Sequence, residues 1–165
     1  MNLFPDIVRD IDGPATNSQS TFDFLNRSSR SLECNIRSRL EDWFSRYPQD
    51  HQNELAPRFY SNDDGLQSAF FELALHELLI NLGYEVTVHP ALQGTDRHPD
   101  FHAINDGNDE FYLEAYHFSG KSREESGQER IRSIIYDDLN NRINSPDYFI
   151  NLRVLRCFVW VIVIN

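Results

Sequence analysis

The sequence predicts an α/β domain: a mixed central β-sheet flanked by helices, with an extra N-terminal helix. Three observations carry this. Apolar residues recur at helical spacing over 32–47, 71–82 and 131–143. Short runs rich in β-branched and aromatic residues lie between the second and third of these stretches and again after the last. The resulting order, helix, three strands, helix, two strands, gives a sheet that helices must cover.

Residues 1–20 are polar, contain Gly13-Pro14 and a Thr/Asn/Ser/Gln/Ser run, and read as an irregular leader. Ser28 or Ser29 is the expected cap of a first helix that runs to Tyr47 on Leu32, Ile36, Leu40, Trp43, Phe44 and Tyr47, with Pro48 ending it. Residues 48–60 read as a polar connection. A second helix starts near Ser61-Asn62-Asp63-Asp64, which offers caps and first-turn acids. It ends at Leu82 before Gly83, with an apolar stripe of Phe71, Leu75, Leu78, Leu79 and Leu82. Residues 84–89 read as a strand closed by Pro90, and a loop with Gly94, Thr95 and Asp96 follows. Phe101–Ile104 and Glu110–Phe118 form a hairpin about Asn105-Asp106-Gly107-Asn108. Ser122 and Glu125 fit a capping box for a third helix with Ile131, Ile134, Ile135, Leu139 and Ile143 as core positions. Ser145-Pro146 breaks it, and strands follow over 148–155 and 157–164. The last run is too apolar for one wet face and belongs in a sheet centre covered on both sides. It stops one residue before the end of the sequence, so a domain that continues and a truncated one both stay open. The division expected is 1–60 as leader and helix packing on the core, and 61–165 as the α/β core.

With 165 residues, 40% hydrophobic and 13% aromatic, the chain suits one globular domain. Cys34 and Cys157 follow no ligand spacing, which argues against a disulfide framework or a cysteine zinc site. The first ten residues do not read as a signal peptide, and no run approaches the roughly 18 apolar residues of a membrane span. Cytoplasmic residence and no membrane partner are the expectation. A net charge of −11 disfavours a simple DNA-binding module. Arg27, Arg30, Arg37, Arg39 and Arg46 read as a solvated helix face, with a phosphate-binding strip as the alternative.

The chemistry centres on Asp100 and Glu114. If the loop is 106–108, it sets them directly opposite each other, roughly 5 Å apart, where two carboxylates repel; a two-residue or shifted turn moves the pairing by one position. A bound Mg²⁺ relieves such repulsion and suits a sparse carboxylate site. Along the second helix, Glu72 falls about 75° from the centre of the apolar stripe and Glu77 about 145° away. Glu72 is therefore expected to reach a site at the sheet edge, and Glu77 to face water. His98 and His102 flank Asp100, His89 closes the preceding strand, and His76 lies four residues beyond Glu72. A His/Asp/Glu site for Zn²⁺ or Mn²⁺ is a second option, without a helical His pair to support it.

The helix with Glu72, then Pro99-Asp100, then Glu114-Ala115-Tyr116, with helix and strand following, resembles the PD-(D/E)XK, or restriction-endonuclease-like, nuclease superfamily. Within it, the pattern is similar to a group of uncharacterised bacterial proteins. The resemblance implies an αβββαβ core over about 63–155 and a Mg²⁺-dependent nuclease site, with Mn²⁺ as the alternative ion. It implies Asp100 and Glu114 as metal ligands, the Ala115 carbonyl as a further ligand and Glu72 as an accessory acid. Tyr116 stands where the family has a lysine, so Tyr116 or the one lysine, Lys121, would orient the attacking water. The implied partner is nucleic acid, DNA or RNA. The competing reading is a non-catalytic interaction module on the same scaffold, with a protein partner or a second copy of the chain.

Overall fold

The computed structural model describes residues 1–92, 94, 98–107, 109–118, 122–143 and 159–164, with 117, 118, 123 and 159–164 by backbone alone. The strand expected over 148–155, the Ser145-Pro146 break, Thr95, Asp96, Cys157 and Lys121 lie outside them. The elements run α1 (Thr21–Arg27), α2 (Ser31–Arg46), α3 (Gln49–Ser61), α4 (Asp63–Asn81), β1 (Glu85–Val88), β2 (Phe101–Ile104), β3 (Glu110–Phe118), α5 (Arg123–Ile143) and β4 (Val159–Ile164). The architecture is mixed α/β, five helices with an antiparallel sheet ordered β1-β2-β3-β4.

The sheet differs from the sequence reading in two respects. Every described pairing within the sheet is antiparallel, so the expected mixed sheet is not found among the described residues. A helix ahead of a strand does not dictate strand direction, because the chain over 144–158 is long enough to enter the sheet from either end. The apolar run ending at Ile164 is also not central: β4 is an outer strand of the described sheet.

The hairpin register matches the sequence reading. Phe101 pairs with Leu113, His102 with Tyr112, Ala103 with Phe111 and Ile104 with Glu110, so one step further sets Asp100 opposite Glu114. The turn is closed by Asn105, whose amide donates to the Asp109 carbonyl at 3.1 Å and whose side-chain oxygen accepts the Asp109 N–H at 2.9 Å.

The N-terminal third is more structured than the sequence suggested. Two helices replace the single one, and Ser28 ends α1 instead of starting α2. Arg37 explains the tight junction: its guanidinium is buried and donates to the Leu25 carbonyl and, at 2.8 Å, to the Ser28 carbonyl. Residues 48–60, read as a connection, are mostly helix α3. Its inward residues Gln52, Leu55, Ala56 and Phe59 keep the spacing of one helix face, but a polar Gln52 and an internal Pro57 obscure the pattern. Gln52 is inward for a reason, since its amide donates to the Phe44 and Tyr47 carbonyls at 3.0 and 2.9 Å. The leader is irregular but anchored: Leu3 and Phe4 are buried, and their N–H groups donate to the Glu41 carboxylate at 3.0 and 2.6 Å.

One core runs from the leader to the sheet. It joins Leu40, Phe44 and Tyr47 of the α2 end, Leu55 and Phe59 of α3, Leu73 and Leu79 of α4, and Val88, Phe101, Ala103 and Leu113 of the sheet. Helix α4 lies at its centre, touching α1, α2, α3, β1 and β3. Its buried face is rotated by about 100° from the predicted stripe, roughly one residue's step. Leu78 and Leu82 are therefore exposed, while Ala69, Glu72, Leu73, His76 and Glu77 point inward. A helix apolar on nearly all sides gives no sharp periodicity to read.

Helix α5 carries the expected Ser122–Glu125 box, with Ser122 N–H to the Glu125 carboxylate at 2.8 Å and Glu125 N–H to Ser122 Oγ at 3.2 Å. Its five predicted core positions, Ile131, Ile134, Ile135, Leu139 and Ile143, are all exposed among the described residues. The helix is tethered instead by Asp137, which accepts from Asn17 and Ser18 of the leader. Periodicity identifies residues that share a face, not the direction that face takes.

Helix α4 ends in a tight reversal at Gly83, whose φ of 86° lies in the left-handed region. Gly83 N–H bonds the Ile80 carbonyl and Tyr84 N–H the Leu79 carbonyl, both at 3.0 Å. No atom would obstruct a Cβ at Gly83 or at Gly13, but Gly13 has no positive φ. Gly83→Ala is therefore expected to lower stability by about 1–2 kcal/mol from backbone strain alone. Gly13→Ala should stay within about 0.5 kcal/mol. Urea denaturation of the two variants checks the contrast.

Candidate functional site

The site is built where α4 crosses the end of the hairpin. Glu72, near the middle of the buried face of α4, is only 3% exposed. A carboxylate in such a place requires donors. Tyr47, at the end of α2, donates its hydroxyl to Glu72 Oε1 at 2.7 Å. Arg58 of α3 pairs with Oε2 and also donates to Ser68 Oγ at 2.8 Å. Burial, aided by the charge of Glu72, raises the pKa of Tyr47 well above the usual tyrosine range, so its hydroxyl remains a donor.

The sheet brings two more groups to this carboxylate. His89 follows β1 and has a φ of 46°, the one positive φ among described residues other than glycine. This conformation is uncommon even for histidine, and less favoured before a proline such as Pro90. It is held by the His89 N–H, which donates to the Asp100 carbonyl at 2.9 Å. The ring then lies with Nε2 at 3.8 Å from Glu72 Oε1 and 3.7 Å from Asp100 Oδ1. One ligand atom from each of Glu72, His89 and Asp100 falls within 4.8 Å of the others.

Asp100 is half-buried at the mouth of the hairpin. Its Oδ2 accepts the Ala115 N–H at 2.6 Å, which fixes the carboxylate at the sheet end. Burial pushes its pKa above the usual carboxylate value. Glu72 and, more weakly, Glu114 push the same way, against the Ala115 N–H and His89. A like-charged neighbour and desolvation both disfavour the ionised form.

The other sequence candidates are distributed as follows. Glu114 is exposed and does not join the Glu72–His89–Asp100 group. Tyr116 is 55% exposed, and alternation along β3 puts it on the face of Glu114, opposite Leu113 and Ala115. Ala115 enters the site through its N–H. Lys121 lies outside the described residues. Glu77 does not face water as expected. The rotation of α4 buries it, and Arg46 pairs with it at 2.6 and 3.0 Å, which lowers its pKa. His76 does share the Glu72 face, but its ring packs on Tyr47 and Phe101, and burial lowers its pKa. His102 stacks on Tyr112 and contacts Glu110 at 2.8 Å, while His98 sits 3.2 Å from the Pro90 carbonyl. The arginine strip is largely committed internally: Arg27 to Asp10, Arg30 to Glu33, Arg37 to backbone, and Arg46 to Asp42 and Glu77.

Sequence reasoning named His89 only as one of several histidines for a His/Asp/Glu site, and it missed Tyr47 and Arg58 as supports. Arg58 could not be found while 48–60 was read as a connection. No family model, curated protein or solved structure matches the chain.

Two stability measurements test this geometry. Arg58→Met leaves the buried Glu72 carboxylate without its cation and should lower stability by about 2–3 kcal/mol, less than for a fully buried pair because Arg58 is partly in solvent. Asp100→Asn has the opposite sign. The folded state holds the Asp100 proton more tightly than the unfolded chain, so ionisation of Asp100 subtracts stability at neutral pH. That loss disappears as pH falls through the raised folded value toward the ordinary 3.8. Asn keeps an acceptor for Ala115 and carries no charge. Denaturant midpoints should show Asp100→Asn more stable than wild type at pH 7, with the gap closing toward pH 4.

Proposed function

We propose that this chain has a restriction-endonuclease-like core and performs metal-dependent hydrolysis of nucleic-acid phosphodiesters at the end of the β2–β3 hairpin. The observation that carries this reading is the approach of Glu72 and Asp100, two acidic side chains from helix and hairpin, at a point where Asp100 resists ionisation. The order α4, three antiparallel strands and α5 supports it.

The donors suit a hard cation in part. Asp100 uses Oδ2 for Ala115 and has Oδ1 left for an ion, and exposed Glu114 is its cross-hairpin neighbour. Both oxygens of Glu72 are engaged, so Glu72 acts as a fixed negative neighbour and not as a ligand. Asp100, Glu114 and the Ala115 carbonyl would hold the ion, in an oxygen donor set that favours Mg²⁺, with Mn²⁺ as the alternative. When bound, the ion supplies Lewis acidity and offsets charge on the attacked phosphate. Tyr116 presents a hydroxyl on the Glu114 face that can orient water but adds no positive charge. Lys121 remains the candidate for that charge.

A specific observation favours a second reading, a non-catalytic interaction module with a protein partner or another copy of the chain. Arg58 already neutralises Glu72, and Tyr116 replaces the cationic residue of the resembled motif. One set of experiments separates the two. On the first reading, full-length protein with Mg²⁺ or Mn²⁺ cleaves single- or double-stranded DNA or RNA, and Asp100→Ala and Glu114→Ala each lower the rate at least 100-fold. Calorimetry should give a Mg²⁺ heat for wild type that Asp100→Ala lacks. Mg²⁺ binding without cleavage leaves the second reading. Equal heats from wild type and Asp100→Ala remove the metal site.

A further inference from the structure

We propose that His51, Glu54 and His89 form a separate site for a transition-metal cation of the Zn²⁺ class, on the α3 side of His89. The proposal does not rest on the nuclease reading, although the two sites share the His89 ring. One ligand atom from each of the three residues lies within 4.8 Å of the others. His51 and Glu54 are three apart on α3 and so share one helix face. The His89 ring meets the His51 ring edge-on, with centroids 5.1 Å apart, and His89 Nδ1 is 4.0 Å from Glu54 Oε2. A tetrahedral Zn²⁺ with ordinary bond lengths holds its ligand atoms about 3.3 Å apart, so a small side-chain adjustment closes the set.

Three features point to a cation and not to incidental crowding. First, His51 Nδ1 is buried with no hydrogen-bond partner among the described residues, a cost that a native fold usually avoids. Second, His89 adopts an uncommon φ of 46° while its ring lies between Glu54 of α3 and the Asp100 and Glu72 carboxylates. Third, the two ring nitrogens of His89 face different chemistry. Nδ1 points to Glu54, while Nε2 lies 3.7–3.8 Å from Asp100 and Glu72. A metal-bound histidine commonly gives its other N–H to a carboxylate, which sets the tautomer and strengthens the ligand. Here that arrangement puts the N–H on Nε2 and frees Nδ1 for the ion. Two imidazoles and one carboxylate select Zn²⁺-class ions over Mg²⁺ or Ca²⁺. Glu54, with its side chain 73% exposed, leaves a side open to solvent for entry and for a water ligand.

The test is calorimetric titration of chelator-treated full-length protein with Zn²⁺, with Co²⁺ absorption as a second readout. Wild type should bind one equivalent and show Co²⁺ bands of a low-coordinate site. His51→Ala and Glu54→Gln should each weaken Zn²⁺ at least tenfold, and Glu114→Gln should bind it as wild type does. If His51→Ala does not fold, Glu54→Gln decides alone, because its side chain is at the surface. No Zn²⁺ binding by wild type, or wild-type affinity in a folded His51→Ala or in Glu54→Gln, overturns the proposal. Loss of Zn²⁺ in Glu114→Gln overturns it too, and assigns the ion to the hairpin site. Mg²⁺-dependent cleavage is read separately, so either site can fail without the other.

Discussion

Glu72 brings a carboxylate into the middle of the core on the helix that α1, α2, α3, β1 and β3 all touch, and the surrounding elements are arranged around meeting it. Leaving a carboxylate unmet in an apolar interior costs several kcal/mol, a large share of a domain's whole stability. Its partners come from three different elements: Tyr47 from the end of α2, Arg58 from α3, and, at longer range, His89 from the end of β1. Each partner fixes a helix or strand end relative to α4. A buried network of this kind is a weak source of net stability, since apolar residues of the same shape would often do as well. It does favour the packing adopted, because turning Glu72 away from this point forfeits its bonds to Tyr47 and Arg58.

The same constraint explains the rotation of α4. Leu75 and Leu79 are buried in either orientation, so aliphatic burial alone barely discriminates between them. Turning the helix exposes Leu78 and Leu82 but takes Glu72 to Tyr47 and Arg58, Glu77 to Arg46, and His76 to the faces of Tyr47 and Phe101. Both acids acquire charge-assisted bonds, which are about twice as strong as neutral ones. The polar residues of α4 therefore set its orientation, and the leucines accommodate it.

What the sequence revealed follows from which signals were local. The β2–β3 register was legible to within one position, because an Asp-Gly turn between two apolar runs leaves only a choice of loop length, and the Ser122–Glu125 cap because it is complete within four residues. The Gly83 stop was legible for the same reason. The orientation of α4 was not, since its leucines surround the helix and its polar partners lie on elements distant in sequence. Helix α3 was hidden by Pro57 and by Gln52, whose inward position makes sense only once the carbonyls ending α2 are seen. With α3 hidden, Arg58, His51 and Glu54 had no face to share. Of the candidate site, Glu72 and Asp100 were legible as acids that approach each other. Which of the candidate histidines joins them was not, because the place of His89 goes with a backbone conformation that nothing in the order of residues announces.

His89 is where these constraints meet. A neutral imidazole offers one N–H and one lone pair, and its surroundings decide which nitrogen carries which. Glu72 Oε1 already accepts from Tyr47, and Asp100 Oδ2 from Ala115, so Asp100 Oδ1 is the acceptor least supplied with donors. It lies 3.7 Å from Nε2, and a small approach would place the proton there. The lone pair would then face α3, where His51 and Glu54 stand. A cation on Asp100 would compete with that N–H for the same oxygen, and would weaken the preference that points Nδ1 outward. The hairpin and α3 sides of the ring are therefore not independent: whatever occupies one changes the tautomer, and hence the donor strength, presented to the other.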